Sequence, residues 1–212
     1  MLQIAKHNIM NDEPIGRYPR NYIDIARTTS EAGFTMASDL LICSLLRTLA
    51  ASKRGGTFLE LGTGTGLSTA WILDGMGPQS TLISVDNDQE VLSIAEKYLG
   101  YDSRLTLTCI DGSDWVLANL EKRFDFIFAD TWHGKYLLLD EVLAMVNPGG
   151  IYFIDDMLSQ PNWPDGHAEK VNALIAYLEA RTDFVLTKQS WGSGAIMAVK
   201  LPIQSGSPVT GR

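Results

Sequence analysis

The fold class the sequence predicts is an open α/β sheet with helices on both faces, seven-stranded, mostly parallel, and finished by a C-terminal antiparallel hairpin. Three observations carry this. Five short runs rich in β-branched and aromatic residues alternate with segments of helical period. Each run is apolar almost throughout, as in parallel strands covered on both faces. Two more runs, late in the chain, flank a glycine turn.

Taken in order, residues 1–35 are mixed and poorly periodic. Ile42, Leu45, Leu46 and Leu49 then recur at helical spacing and predict a helix over about 39–51. The strands follow as "TFLEL", "TLISVD", "LTLTCI", "FDFIFAD" and "IYFIDD". Between them, Val91, Ala95, Tyr98 and Leu99 mark one amphipathic helix, and Leu139, Val142, Leu143 and Val146 another. Val171, Leu174, Ile175 and Leu178 mark a last helix, and "DFVLTKQSWGSGAIMAVKL" reads as two strands about Gly192 and Gly194. The tail, 202–212, is rich in Gly, Ser and Pro and is expected to be flexible, which leaves one domain over 36–201.

A chain of 212 residues suits a single sizeable core. Seventeen basic against twenty-five acidic residues give a net charge of −8, which repels polyanions and argues against a nucleic-acid partner. No apolar run approaches the ~20 residues of a membrane span. The first twenty residues lack the apolar centre of a signal peptide, so a cytoplasmic protein without a membrane partner is expected. Cys43 and Cys109 lie in apolar patterns without metal-type spacing and are read as buried, reduced hydrophobes.

Ligands of open α/β sheets bind beyond the carboxyl ends of the strands. Those ends carry Glu60, Asp86, Asp111, Asp130 and the pair Asp155 and Asp156. In "FLELGTGTGLSTAW" a strand runs through a glycine turn into a helix, so Gly62, Gly64 and Gly66 allow close approach of backbone to a ligand. A dinucleotide fingerprint needs glycine where Leu67 stands, and Glu60 two residues before the first glycine suits a cationic ligand better than a pyrophosphate. Asp86 is placed to accept from ribose hydroxyls, and Asp111 with Gly112 to meet an adenine ring. Each acid taken singly is as well explained as a helix N-cap; their ordered recurrence is what points to a ligand.

On these residues, the E-x-G-x-G-x-G at 60–66, Asp86, Asp111-Gly112 and "NPGGIYFIDD", the chain resembles the class I S-adenosylmethionine-dependent methyltransferases over about 34–201. The resemblance implies their Rossmann-like fold and S-adenosyl-L-methionine as cofactor. It also implies that Ser68, Glu60 and backbone near Met36 seat the cofactor's amino-acid end, with Asp130 close by.

Asp130, Asp155 and Asp156 would then meet at one mouth of the cleft, where two unit charges ~4 Å apart repel by ~4 kcal/mol at an effective dielectric of 20. Oxygen-only ligands suit Mg²⁺, and the alternative gives Asp155 to a ligand and Asp156 to a turn. More narrowly, "FDFIFADTWHGKY" resembles the cation-dependent catechol and caffeoyl-CoA O-methyltransferases, in which an Asp after the fourth strand and an Asp-Asn pair after the fifth hold the metal. These fall on Asp130, Asp155 and Asp156, with Asp in place of Asn. The general-base lysine of the catechol enzymes falls on His133, whose ordinary pKa near 6.5 suits proton removal from a hydroxyl.

Trp132, Trp163, Trp191 and, in the N-terminal segment, Tyr18 and Tyr22 are candidates to clamp a planar acceptor, or equally to pack loops. His167 is read as a helix-start residue. The expected partner is a small hydroxylated acceptor. Alternatives are a tRNA-nucleoside O-methyltransferase, a metal-independent enzyme, and a cofactor-binding protein without catalysis. The N-terminal segment is left two roles, a lid over the cleft or a contact in a homodimer.

Overall fold

The computed structural model describes residues 17–160 and 163–202. In chain order its elements are α1 (Tyr22–Glu31), α2 (Leu40–Ser52), β1 (Thr57–Leu61), α3 (Leu67–Gly75), β2 (Thr81–Asp86), α4 (Gln89–Leu99) and β3 (Leu105–Cys109). There follow α5 (Gly112–Leu117), β4 (Phe124–Ala129), α6 (Leu139–Ala144), β5 (Val146–Ile154), α7 (His167–Glu179), β6 (Phe184–Gln189) and β7 (Ala195–Lys200). They build one seven-stranded sheet in the order β3-β2-β1-β4-β5-β7-β6, with β7 antiparallel to both its neighbours. No helix among the described residues is long and apolar enough to cross a membrane.

The strand period of two sorts the apolar runs onto two cores. Phe58, Phe126, Phe128 and Phe153 face α1 to α4, where Trp71, Ile42, Leu46 and Ile25 close one layer. Leu59, Ile127, Tyr152 and Ile154 face the other way, against α5, α6 and α7 through Trp115, Val142, Leu143 and Leu178. Residues opposite one another across the sheet, such as Leu59, Ile83 and Ile127, share a face because the register is parallel and in step.

Four expectations need correction. Residues 22–31, assigned no element in the sequence, form a helix; Tyr22, Ile25 and Thr29, at i, i+3 and i+7, supply the buried face. Tyr22 gains its burial by stacking on Tyr18 (ring centroids 5.0 Å apart) and meeting Trp71 edge-on, so these tyrosines pin α1 to α3 and do not line the cleft. Cys109 is exposed because β3 is an edge strand with one face half open, whereas Cys43 is buried. Val146 belongs to β5 and not to the helix before it: Phe124 pairs with Val146 but Phe126 with Ile151, a bulge that accommodates the Asn-Pro-Gly-Gly turn. The tail expected to be flexible lies, from residue 203 on, outside the described residues.

Gly66, read as a ligand-approach glycine, serves packing. It precedes α3 with φ 89°, and a Cβ there would stand 2.8 Å from the Ala95 Cβ of α4. Gly66→Ala is therefore expected to combine left-handed backbone strain of about 1–2 kcal/mol with overpacking of about 1–3 kcal/mol. Gly33, at φ 69° with nothing near its missing Cβ, isolates the first contribution. Urea unfolding of Gly66→Ala and Gly33→Ala should show the former losing clearly more stability.

Candidate active site

At the end of β1 the chain turns through Gly62, Gly64 and Gly66, all with positive φ. The Gly62 turn runs so close to the next strand end that a Cβ would lie 2.7 Å from the Asp130 carbonyl oxygen. Asp86 fixes the loop by accepting from the Gly64 N–H at 2.7 Å. Thr29 of α1 donates to Thr65 at 2.8 Å, and the Phe34 ring covers Gly64, so the N-terminal segment from 17 on holds the outside of the loop.

Beneath the loop Glu60 is fully buried and accepts from Ser68 (2.7 Å), Thr69 (2.6 Å) and Ser84 (2.5 Å). Burial pushes its carboxyl up to about 7, against the pull of the three hydroxyls.

Along the strand ends runs a cleft of about 730 Å³, lined at one end by Met36, Gly62, Gly64, Ser68 and Asp86. A side chamber of about 40 Å³ opens between Asp86, Gly112 and His133. Asp111 caps α5 by accepting from Ser113 N (2.8 Å) and Asp114 N (3.2 Å), and its other oxygen stands 3.4 Å from His133 Nε2. The His133 ring packs on Gly112, where a Cβ would come within 2.6 Å of it.

In the middle of the cleft Asp130, Asp155 and Asp156 converge, with one oxygen of each within 4.8 Å of the others. Asp155 is buried at the end of β5; Asp156 next to it takes a left-handed φ of 55°, which Asp tolerates better than most residues. Lys135 enters the same cluster from the loop after β4. Its Nζ lies 3.3 Å from Asp155 Oδ1 and 3.8 Å from Asp130 Oδ1, and Ser38 donates to Asp130 Oδ2 at 2.8 Å. Burial alone would lower the Lys135 pKa, but Asp155, Asp130 and Asp156 outweigh it and hold the ammonium above its ordinary value. Burial, and then Asp130, push Asp155 well above the carboxylate range.

At the far end Trp132, Tyr136, Trp163 and His167 form an aromatic wall. The His167 ring sits 4.6 Å from Trp163 and 5.5 Å from Tyr136, and the Lys170 ammonium lies 4.2 Å over Trp132.

Comparison with known proteins finds relatives by sequence and by fold. Residues 59–157 match the family model described as a methyltransferase domain. That match spans a little under half of the chain. The chain is 24% identical over 168 residues, 74% of this chain and 64% of the relative, to the O-methyltransferase hkm8 of Aspergillus hancockii. The chain spans about half (49%) of the Mycobacterium leprae relatives it matches, at 29% identity over 109 residues. Its fold is that of the O-methyltransferase TomG of Streptomyces achromogenes (TM-score 0.75, 19% identity, 88% of this chain and 92% of that one). An O-methyltransferase of Bacillus cereus shares it too (TM-score 0.73, 18% identity, 85% and 90%).

The structure moves several side chains from where the sequence put them. Glu60 does not line the cleft; it organises Ser68, Thr69 and Ser84 from behind, and Ser68 is the one that reaches the cleft wall. His133 stands by Asp111 and Gly112, lining the side chamber and not the main cleft. The reason is Gly134, at φ 81°, whose N–H donates to Leu137 O at 2.7 Å and whose carbonyl accepts from the Tyr152 hydroxyl: the turn sends Lys135 inward instead. Trp191 is absent from the cleft wall, which takes Gly192 and Ser193 from that turn. His167, read as a helix start, opens α7 and also centres the aromatic wall.

Sequence reasoning missed Lys135. The signal for it was the only lysine close behind Asp130, in a chain whose three strand-end acids needed a cation.

The raised Glu60 pKa has a definite sign. The unfolded chain deprotonates at about 4.5 and the folded protein only at about 7, so this group's stability is full below about 4.5 and is lost as pH rises through about 7. Urea unfolding at pH 4.5 and 8 should show the wild type losing about 3 kcal/mol relative to Glu60→Gln, an order-of-magnitude figure from the size of the shift.

Proposed function

We propose that the chain is an S-adenosylmethionine-dependent O-methyltransferase whose acceptor is a small aromatic molecule bearing a hydroxyl. The observation that carries this is the continuity of one cleft. The glycine loop and Asp86 are at one end, the aromatic wall at the other, and the charged cluster of Asp130, Asp156 and Lys135 lies along it. Support also comes from the relatives: hkm8 and TomG are both named O-methyltransferases, and TomG was crystallised with S-adenosylmethionine.

In this reading Asp86 accepts from the ribose hydroxyls, and the adenine lies toward Gly112 and His133. The Ser68 hydroxyl, whose proton is committed to Glu60, keeps lone pairs for the cofactor's ammonium. Trp132, Tyr136, Trp163 and His167 hold the acceptor ring by stacking and edge contacts. The cleft brings the acceptor oxygen in line with the sulfonium methyl, so positioning supplies much of the rate. Asp156, on the cleft wall, takes the hydroxyl proton. The oxygen then forms its bond to the methyl carbon as the carbon–sulfur bond breaks and its electron pair stays on sulfur.

The residues fit a divalent cation poorly. Asp130, Asp155 and Asp156 offer the oxygens that suit Mg²⁺, but Lys135 already stands against Asp155 Oδ1 and Asp130 Oδ1. A metal bound by those oxygens would lie a few ångströms from this ammonium, and like unit charges ~4 Å apart cost ~4 kcal/mol at an effective dielectric of 20, a dication twice that.

The decisive experiment follows labelled methyl from S-adenosylmethionine into a panel of phenols and catechols, with cofactor binding measured by calorimetry. Methyl transfer should be detected, with the KM for S-adenosylmethionine rising about 10–100-fold in Asp86→Ala as a hydrogen-bonded charge is lost. Trp132→Ala should raise the acceptor KM and leave cofactor binding alone. A chain that binds no S-adenosylmethionine sinks the proposal.

A further inference from the structure

The carboxylate cluster contains its own cation. The Lys135 side chain is 6% exposed, yet its ammonium borders the cleft beside Asp156 and Asp130. An ammonium has three donors, of which one is held by Asp155 Oδ1 at 3.3 Å, with Asp130 Oδ1 at ion-pair distance, 3.8 Å. Donor capacity remains for whatever enters the cleft.

Both oxygens of Asp130 are engaged as well, Oδ1 by Lys135 and Oδ2 by the Ser38 hydroxyl at 2.8 Å. Mg²⁺ would need near-octahedral geometry with carboxylate oxygens at about 2.0–2.1 Å. Reaching it here would require displacing the Lys135 ammonium from Asp155 Oδ1 and Asp130 Oδ1.

We propose that Lys135 takes the place of a divalent metal in this site, so that the charge beside the acceptor oxygen comes from the chain itself. The inference rests on the methyl-transfer reading above and deepens it. The acceptor O–H bond breaks and its proton goes to Asp156. The Lys135 ammonium, which keeps all its protons, donates a hydrogen bond to the resulting oxyanion. The oxygen–methyl bond then forms as the methyl–sulfur bond breaks, leaving a neutral thioether. Lysine is suited to this because it is a compact charge on a flexible stem, able to follow the oxygen as its charge moves to sulfur.

The test is a Mn²⁺ titration of the chelator-treated full chain, with free Mn²⁺ read by electron paramagnetic resonance, an observable that does not depend on methyl transfer. The wild type should leave Mn²⁺ free. Lys135→Met, which clears the cluster, should bind it at least about tenfold more tightly, since removing one neighbouring positive charge is worth more than one pKa unit of interaction.

Where methyl transfer is measurable, it should be unchanged by chelator, fall at least about 100-fold in Lys135→Met, and return in part in Lys135→Arg. Mn²⁺ held by the wild type and released by Asp155→Asn would overturn the proposal, as would loss of methyl transfer on chelation. The wild-type titration decides the matter even where Lys135→Met fails to fold. Failure of the methyltransferase reading itself is seen separately, in calorimetry with S-adenosylmethionine.

Discussion

Parallel pairing of β1 with β4 and of β4 with β5 sets the position of every group in the cleft. Because these strands run in step, Leu61, Ala129 and Ile154 finish at one edge, and the residues that follow them, Gly62, Asp130 and Asp155, must share the same space. The Asp130 N–H still donates to Leu61 O at 2.8 Å, so the ladder delivers this carboxylate before the chain is free to turn. Charge concentrated in this way, away from water, requires a partner of opposite sign. Lys135 meets that requirement, and the geometry of its loop follows from it.

A second constraint acts one layer below. Glu60 spends both its oxygens on three hydroxyls, one from β2 and two from α3, and so ties the glycine loop to the strand beside it and the helix beyond it. A carboxyl shielded from water is a poor place for charge but a strong acceptor, and its hydrogen bonds fix the Ser68 hydroxyl at the cleft wall. From outside, Thr29 and Phe34 close over the same loop. Rigidity on both sides lets a loop of small residues hold its shape without large side chains of its own.

The two ends of the cleft differ in kind. Around Asp86 and the glycine loop the wall is polar backbone and small side chains, whereas Trp132, Tyr136, Trp163 and His167 present ring faces and edges. Between them stands the cluster, where Asp156 reaches the cleft because its left-handed backbone turns the chain out of the strand direction. The cleft thus passes from a polar wall of small residues, through a charged junction, to a wall of rings.

The sequence by itself determined the sheet and the set of strand-end acids. Apolar strands covered on both faces, helices of period 3.6 and a hairpin about Gly192 and Gly194 are local patterns, legible because each residue's neighbours in sequence decide them. Asp86, Asp130, Asp155 and Asp156 were legible for the same reason, as polar residues interrupting apolar runs. α1 was not, since its buried face of Tyr22, Ile25 and Thr29 holds few strongly apolar residues, and Tyr22 is covered by contact with Tyr18 and Trp71. Nor could the pattern tell that Glu60 turns inward to hydroxyls from two other elements. Only the tertiary structure decided between His133 and Lys135. The left-handed turn at Gly134 and its tie to Tyr152, a residue on another strand, choose which side chain faces the acids, and no spacing along the chain encodes that choice.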